Sequence, residues 1–293
     1  MVKTEELRAD TLFSIKGHVC LVTGGGTGIG LMATQALAAN GAKVYITGRR
    51  MEALENAAKT HSPSSVGGQI IPIGPCDVTK KEDLENLVKE LEKKEKFINV
   101  LVCNAGISGP KAEPKSEDAK ELKETLFQGE SFQEWSETFN TNVSGVYFTT
   151  VAFLPLLQAG LPTHGDLSSS VIVISSMSGI MRHAQGHFSY NAAKGATVHL
   201  SKLMSYEFQK AGIRVNSIAP GYFPSEMTTD ESDENQKSGI PDEEIEEKGH
   251  VPAQRAGSDE EMAQGIIFLA KNKYVNGEIV AIDGGVLLEI PGR

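Results

Sequence analysis

The chain contains, near its amino terminus, the stretch His18-Val-Cys-Leu-Val-Thr-Gly-Gly-Gly-Thr-Gly-Ile-Gly30. A short apolar run ends at Thr23, glycines follow, and an amphipathic segment continues to Asn40-Gly41. This succession predicts a β-strand, a tight turn and an α-helix. Glycines let the backbone approach a pyrophosphate, and free N–H groups at the start of a helix favour its negative charge. The alternative is a flexible turn that binds no ligand.

A second predicted strand, Lys43-Val-Tyr-Ile-Thr47, ends at Gly48-Arg49-Arg50. In dinucleotide-binding folds, an acidic residue at this point binds the ribose 2′-hydroxyl of NAD, whereas an arginine accommodates the 2′-phosphate of NADP. Gly48 stands at the acidic position, so we predict NADP(H), with Arg49 as the first phosphate partner and Arg50 as the second. The alternative is that the two arginines only begin a solvated helix over 51–60.

Five further apolar runs complete the predicted sheet. The third strand, 69–74, contains Pro72, which cannot donate a ladder hydrogen bond and is tolerated at a sheet edge. A doubly wound sheet places its third strand at an edge. We therefore predict one α/β domain over residues 1–293, with a Rossmann-type parallel sheet in the order 3-2-1-4-5-6-7 and helices on both faces. The remaining strands are predicted at 99–104, 171–174, 214–219 and 278–282.

Several segments fall outside this core pattern. Residues 1–15 are predicted to be an amino-terminal extension, and the polar stretches 108–129 and 161–170 are predicted to be surface insertions. Residues 222–257 begin with aromatic and methionine residues, continue with loop composition, and are interpreted as a substrate lid.

Helix starts are marked by capping boxes, in which a hydroxyl residue is followed three positions later by glutamate. Such boxes occur at Thr79-x-x-Glu82, Ser131-x-x-Glu134 and Ser258-x-x-Glu261. We predict long helices over 132–157 and 190–209.

Composition restricts the class of protein. The 293 residues are 40% hydrophobic and carry a formal net charge of −10, which argues against a nucleic acid or an anionic membrane as partner. Apolar runs are shorter than the roughly 18 residues of a membrane span, and the first 16 residues lack a signal-peptide pattern, so we expect a cytoplasmic protein. The cysteines Cys20, Cys76 and Cys103 lack metal spacing and are interpreted as small core residues.

A candidate acid/base pair lies in Tyr190-Asn-Ala-Ala-Lys194. Residues i and i+4 of a helix are neighbours, and a nearby cation lowers the pKa of a phenol from its usual value near about 10. We therefore predict a lowered pKa for Tyr190. Ser176 follows the fifth strand and would reach the same carboxyl edge of the sheet. By itself the Tyr-x-x-x-Lys spacing is weak evidence, because it occurs by chance on many exposed helices.

In their order along the chain, these elements resemble the short-chain dehydrogenase/reductase family over residues 16–286. The resemblance implies an oxidoreductase that transfers a hydride between a nicotinamide and a ketone or secondary alcohol. The matching elements are Thr23-Gly-Gly-Gly-Thr-Gly-Ile-Gly30, Asp77-Val78, Asn104-Ala-Gly106, Asn142, Ser176, Tyr190-Asn-Ala-Ala-Lys194, Arg214-Val-Asn-Ser-Ile-Ala-Pro-Gly221 and Asp283-Gly-Gly285.

The resemblance also implies a role for each matching residue. Tyr190 would exchange a proton with the substrate oxygen, and Ser176 would hydrogen-bond that oxygen. Lys194 would hold the nicotinamide ribose, and Asn142 would support a water relay to Lys194. Together with the two arginines, the predicted cofactor contacts are Gly24, Thr27, Gly28, Ile29, Gly30, Arg49, Arg50, Asp77, Val78, Asn104, Ala105, Gly106, Tyr190, Lys194, Pro220, Gly221, Phe223 and Ser225.

The segment between Ser176 and Tyr190 is about one residue longer than in typical family members, so Ser175 or Ser178 is an alternative to Ser176. Substrate residues are expected in this segment and in the lid. Their sulfur and aromatic groups favour a medium-sized, partly apolar ketone of the polyketide or 3-oxoacyl type, with a sugar or polyol as the alternative. The candidates are Met177, Ser178, Met181, His183, His187, Tyr222, Phe223 and Met227.

The two histidines among these candidates lack a third ligand with metal spacing, so we predict no metal. The first function hypothesis is an NADP(H)-dependent carbonyl reductase, and the second is a catalytically silent NADP(H)-binding regulator. An intact Ser176, Tyr190 and Lys194 favours the enzyme. An enoyl reductase is disfavoured because that branch spaces its tyrosine and lysine more widely. The resemblance alone implies a homodimer or homotetramer through the helices at 132–157 and 190–209.

Overall fold

The computed structural model describes residues 3–65, 67–161, 169–229, 233 and 235–290. Its centre is a seven-stranded parallel sheet in the order β3-β2-β1-β4-β5-β6-β7, which confirms the predicted fold class and the edge position of the third strand. The strands are β1 (Val19–Thr23), β2 (Lys43–Thr47), β3 (Gln69–Pro72), β4 (Val100–Cys103), β5 (Ser170–Ile174), β6 (Arg214–Pro220) and β7 (Ile279–Ile282).

Helices pack on both faces of the sheet. Among the described residues, none of these helices is long and apolar enough to cross a membrane. The helices are α1 (Ala9–Leu12), α2 (Gly28–Ala39), α3 (Met51–His61), α4 (Lys81–Glu92), α5 (Ala119–Gly129), α6 (Phe132–Phe139), α7 (Gly145–Ala159), α8 (Phe188–Phe208), α9 (Glu226–Thr229), α10 (Asp242–Glu247), α11 (Asp259–Lys271) and α12 (Val286–Glu289).

The sheet divides the apolar interior into two cores. Alternate residues of β1 show the division, because Cys20 and Val22 pack against α2 and α11 while Val19 and Leu21 pack against α4, α7 and α8. Every residue of β1 is buried, as expected for a strand covered on both faces. A short apolar run therefore suffices to specify a central strand.

The register of the strands gathers their carboxyl ends at one edge. Thr23 pairs with Thr47 on one side and with Cys103 on the other, and Cys103 pairs with Val173 of β5. The glycine turn, the segment after β4 and the serines after β5 therefore begin next to one another. This edge is where open α/β sheets bind ligands.

The prediction of one continuous helix over 132–157 is wrong in detail. The capping box of Ser131 and Glu134 is confirmed at the start of α6, but a π-helical turn over Asn140–Ser144 separates α6 from α7. A π turn inserts an extra residue and disturbs the regular carbonyl pairing. Here the Thr197 hydroxyl donates to the Asn142 carbonyl at 2.7 Å. Pro155 lies inside α7, and the helix continues to Ala159.

The predicted capping box at Thr79 is also wrong, whereas the one formed by Ser258 and Glu261 is confirmed. Helix α4 begins at Lys81, and Thr79 donates instead to Asp77 Oδ1, from its hydroxyl at 2.7 Å and from its N–H at 3.0 Å. The local turn at Asp77 thus takes the hydrogen bonds of Thr79 in place of a helix cap. Helix α8 begins at Phe188, slightly earlier than the predicted residue 190.

The segments outside the predicted core contain additional structure. The insertion 108–129 includes helix α5, whose described residues are all at least partly exposed and whose N-cap is Asp118. Residues 162–168 of the second insertion lie outside the described ranges, but Ser170 is a fully buried residue of β5 rather than part of a polar loop. The lid region 222–257 includes α9 and α10, while its residues 230–232 and 234 are not among those described.

Candidate active site

A cavity of about 560 Å³ lies at the carboxyl edge of the sheet. Its size is typical of small-molecule and cofactor sites. Its walls are the turns after the first six strands, the end of α6 with the π-helical turn, the start of α8 and the start of the segment predicted to be a lid. The predicted site residues in its lining are Gly24, Thr27, Gly28, Ile29, Arg49, Arg50, Asp77, Val78, Asn104, Ala105, Gly106, Ser176, Tyr190, Lys194, Pro220, Gly221, Phe223, Ser225 and Met227.

The glycine turn fits a pyrophosphate. Gly24 and Gly28 adopt left-handed backbone conformations, with φ of 64° and 52°. A Cβ atom added to Gly30 would lie 2.0 Å from the Gly24 carbonyl oxygen, so only glycine permits α2 to start this close to β1. Thr27 is the N-cap of α2 but, among the described residues, forms no side-chain cap hydrogen bond. The first N–H groups of α2 therefore stay available to an anionic ligand.

The turn after β2 brings positive charge to the same cavity. Arg49 and Arg50 both line it, and the Arg50 guanidinium forms a bidentate ion pair with Glu226, at 3.2 and 2.6 Å. Burial tends to raise the pKa of the nearby Asp77 carboxyl, but hydrogen bonds from Thr79 and the positive charges of Lys80 and Arg49 hold it below its ordinary value. The Asp77 carboxylate is thus already engaged by its own turn.

Asn104 ties the end of β4 to the glycine turn. Its Nδ2 donates to the carbonyl oxygens of Thr23 and Gly24, both at 3.1 Å. The backbone N–H groups of Asn104 and Ala105 donate to Thr23 Oγ1 at 3.0 and 3.1 Å. These four bonds fix the relative position of two cavity walls.

Ser176 and Tyr190 meet across the cavity. Ser176 follows β5, Tyr190 lies in the first turns of α8, and both side chains line the cavity, where Ser176 is near enough to lower the pKa of the Tyr190 hydroxyl. Of the two alternative serines, Ser175 donates to the Ile218 carbonyl at 3.0 Å, and Ser178 is buried outside the cavity lining. The geometry therefore favours Ser176 as the partner of Tyr190.

Lys194 lies one turn beyond Tyr190, as its spacing predicts. Its ammonium donates to the Ile174 carbonyl at 2.9 Å and lies 5.7 Å from the centre of the Tyr190 ring. Burial lowers the pKa of Lys194 to about 8. The ammonium therefore loses its proton only slightly above neutral pH.

The predicted lowering of the Tyr190 pKa is wrong for this structure. Burial raises the pKa of the Tyr190 hydroxyl, and the nearby Ser176 hydroxyl only partly opposes that effect. Lys194 contributes little because its ammonium is directed to the Ile174 carbonyl and is itself disfavoured by desolvation. The phenol therefore keeps its proton at neutral pH.

Asn142 is fully buried behind the cavity lining, in the π-helical turn. Its Oδ1 accepts the Ile107 N–H at 3.0 Å, and its Nδ2 donates to the Ile107 carbonyl at 2.8 Å. A Cβ atom added to Gly106 would lie only 2.8 Å from Asn142 Oδ1. The amide thus holds the segment after β4 against the π turn, in place of a backbone ladder.

Most of the predicted substrate residues lie elsewhere. Of these candidates, all within the described ranges, only Met227 and Phe223 line the cavity. Met177 and Met181 are buried, with 3% and 7% exposure, because both pack in the interior, Met177 against α10 and α12. His183 is exposed, whereas His187 is half-buried, and burial together with the charge of Lys111 lowers the pKa of His187.

Tyr222 joins the lid to the loop after β5. Its hydroxyl accepts a hydrogen bond from Gln185 Nε2 at 2.7 Å and lies 3.0 Å from His250 Nε2. Gln185 and His250 were not predicted, since neither belongs to a recognisable motif. The prediction also missed Ile107, Glu137, Asn140, Thr141 and Glu226, which line the cavity.

The parallel sheet, the glycine turn and the Ser176, Tyr190 and Lys194 cluster define a Rossmann-type protein with a dinucleotide-sized cavity. A sequence model of the short chain dehydrogenase family matches residues 18–236. The chain belongs to the short-chain dehydrogenase/reductase family of oxidoreductases, whose members use nicotinamide cofactors and act on small molecules.

Named relatives cover nearly the whole chain. The short-chain dehydrogenase/reductase PhomF of Diaporthe leptostromiformis is 40% identical, over 98% of this chain and 97% of its own length. The 3-oxoacyl-[acyl-carrier-protein] reductase FabG of Chlamydia trachomatis serovar D is 32% identical, over 91% and 96%. The solved Pseudomonas aeruginosa RhlG/NADP active-site complex is 31% identical, with a TM-score of 0.77 over 94% of this chain and 98% of that chain.

Proposed function

We propose that the protein is an NADP(H)-dependent carbonyl reductase that interconverts a ketone and a secondary alcohol. The observation that carries the proposal is that Ser176, Tyr190 and Lys194 line the same cavity as the glycine turn and Arg49. A nicotinamide cofactor supplies the hydride, and the chain orients the substrate and supplies the proton.

The proposed proton donor is the Tyr190 hydroxyl. Because burial raises its pKa, the phenol is protonated at neutral pH and can donate to an oxygen that gains negative charge. Ser176 is proposed as the second donor to that oxygen, because it lines the same cavity as Tyr190. Two preorganised donors stabilise the developing charge without reorganising solvent.

Lys194 is proposed to hold the cofactor ribose and to return the proton to Tyr190. Its pKa of about 8 suits proton exchange near neutrality. Asn142 is proposed to position the segment at Ile107 through its two hydrogen bonds to that backbone. The water relay from Asn142 to Lys194 stays a prediction.

The proposed cofactor is NADP(H), with Arg49 at the 2′-phosphate. Two features support this choice: the residue after β2 is Gly48 instead of an acidic residue, and two arginines line the cavity beside it. The similarity to RhlG, solved with NADP, points in the same direction.

The proposed substrate is a medium-sized, partly apolar ketone of the polyketide or 3-oxoacyl type, supported by the similarity to 3-oxoacyl reductases. A sugar or polyol is the alternative substrate class.

The proposed homodimer or homotetramer is supported by apolar side chains on the surfaces of α7 and α8. The cytoplasmic location stays a prediction. The exposed side chains are Tyr147, Phe148, Leu203 and Tyr206.

The test is NADPH oxidation with a panel of ketones, followed by absorbance. Tyr190→Phe should lower the turnover about 10²- to 10⁴-fold, because it removes the proton donor, while NADPH binding changes little. Tyr274→Phe makes the same change at a fully exposed tyrosine outside the cavity lining and should leave turnover intact. Unchanged turnover in Tyr190→Phe would refute the assigned donor. NADPH binding without turnover of any ketone would favour the silent regulator.

A further inference from the structure

An ion pair joins the first turn of the lid to the cofactor cavity. Glu226 begins α9, and Arg50 is the N-cap of α3, 176 positions earlier. The guanidinium and the carboxylate meet in bidentate geometry at 2.6 and 3.2 Å, and both side chains line the cavity. The arginine is 62% exposed and the glutamate 30% exposed, so water can compete for the pair.

This ion pair lies beside the position that a cofactor pyrophosphate would occupy. Ser225, the residue before Glu226, has its Cβ atom 2.8 Å from the point where a Cβ of Gly28 would stand. Gly28 begins α2, whose free N–H groups form the anion site of the glycine turn. Glu226 and Gly28 line the same cavity, so the carboxylate adds negative charge to the walls that would receive the phosphates.

The remainder of the described lid has separate attachments. His61 Nε2 lies 2.8 Å from the Asn235 carbonyl oxygen, and the Lys237 ammonium donates to Gln35 at 2.5 Å and also pairs with Asp259. These contacts hold the lid to α2, α3 and the start of α11 independently of Glu226. Release of the Arg50 pair therefore leaves these described attachments in place.

We propose that Glu226 is a specificity-determining residue that occupies Arg50 in the free protein and yields it to the 2′-phosphate of NADP(H). The proposal rests on the function proposed above. Arginine binds carboxylate and phosphate groups with the same bidentate geometry, so the two anions compete for one guanidinium. NAD(H) has a neutral hydroxyl at this position and cannot compete. Glu226 thus lowers the preference for NADP(H) and couples its binding to a change of partner for the Glu226 carboxylate.

The test compares dissociation constants for NADPH and NADH, measured by fluorescence titration. Glu226→Gln should increase the preference for NADPH over NADH about two- to fivefold, which corresponds to a partly exposed ion pair of up to about 1 kcal/mol. The increase should vanish when Arg50→Ala is added to Glu226→Gln. Glu244→Gln is the matched control, because it removes one lid carboxylate that pairs with Lys248 outside the cavity lining.

The outcomes separate this proposal from the function on which it rests. If Glu226→Gln leaves the NADPH preference equal to that of Glu244→Gln, or weakens NADPH binding, the competition is refuted. If the increase persists in the Arg50→Ala background, Arg50 is not the shared partner and the proposal also fails. Failure of the unmodified protein to bind NADPH would instead refute the proposed function.

Discussion

The packing of the glycine turn allows us to predict how much Gly30→Ala destabilises the protein. In Gly30→Ala, the new Cβ atom would lie 2.0 Å from the Gly24 carbonyl oxygen and 2.4 Å from Asn104 Nδ2. Real Cβ contacts stay beyond 3.0 Å, so 3.0 − 2.0 gives a displacement of at least 1.0 Å for α2 or for the turn. Neither neighbour is the free end of a flexible side chain, since Asn104 is fixed by two hydrogen bonds.

Overpacking of this kind costs about 1–3 kcal/mol or more, against a gain of up to about 1 kcal/mol in helix propensity. We expect a net loss of about 2 kcal/mol in the free energy of unfolding and a melting temperature about 4–8 °C lower. The displaced turn should also weaken NADPH binding by at least about tenfold, because N–H bonds to charged oxygens are strong and directional.

The assay is thermal and urea unfolding, combined with NADPH titration below the melting temperature. The control is Gly195→Ala inside α8, where the nearest atom to the new Cβ is the Gly179 carbonyl oxygen at 3.3 Å. That variant should lose less than about 1 kcal/mol. Wild-type stability and wild-type NADPH affinity in Gly30→Ala would refute the described packing of α2 on β1.

Two further predictions concern the charged groups of the cavity. Arg49→Ala should raise the NADPH dissociation constant about 10- to 100-fold and the NADH dissociation constant far less. Titration with both nucleotides measures the two constants, and equal effects on them would remove the argument for a 2′-phosphate contact. Burial lowers the pKa of Lys194 in the folded state to about 8, from its ordinary value of 10.5. The buried ammonium therefore destabilises the folded protein below pH 8, and this destabilisation disappears as the pH rises from 8 to 10.5. The free energy of unfolding of the wild type, relative to that of Lys194→Met, should therefore increase by on the order of 2–3 kcal/mol between pH 7.5 and 10.5. Urea unfolding measures it, and a difference between the two proteins that does not change with pH would contradict the buried ammonium.

Local sequence signals predicted those elements whose cause is local. The apolar run of β1 and the glycines after it specify strand, turn and helix without reference to the rest of the chain. The capping boxes at Ser131 and Ser258 were predicted for the same reason, since both partners lie within one turn. Thr79 shows the limit of this approach, because Asp77 lies two positions away and accepts the hydrogen bond of the threonine hydroxyl.

The candidate site was predicted as a set of residues rather than as an arrangement. Tyr190 and Lys194 lie one turn apart, as their spacing requires, yet the pKa of Tyr190 is raised because burial outweighs the cation. Met177 and Met181 were expected to line the substrate site, but both are buried in the interior. Burial depends on residues distant in sequence, so neither the pKa nor the exposure follows from the motif.

The sequence alone predicted the glycine turn and the Tyr190 and Lys194 pair from short spacings, and the strand order from the resemblance to a doubly wound family. It left Ser175 and Ser178 as alternatives to Ser176, and the structure made that choice. Only the tertiary structure decided which groups are charged, buried or paired. Arg50 and Glu226 illustrate the difference, since their ion pair joins residues 176 positions apart. The physical reason is that desolvation and Coulomb interactions depend on distances through space, which the fold sets and no local pattern encodes.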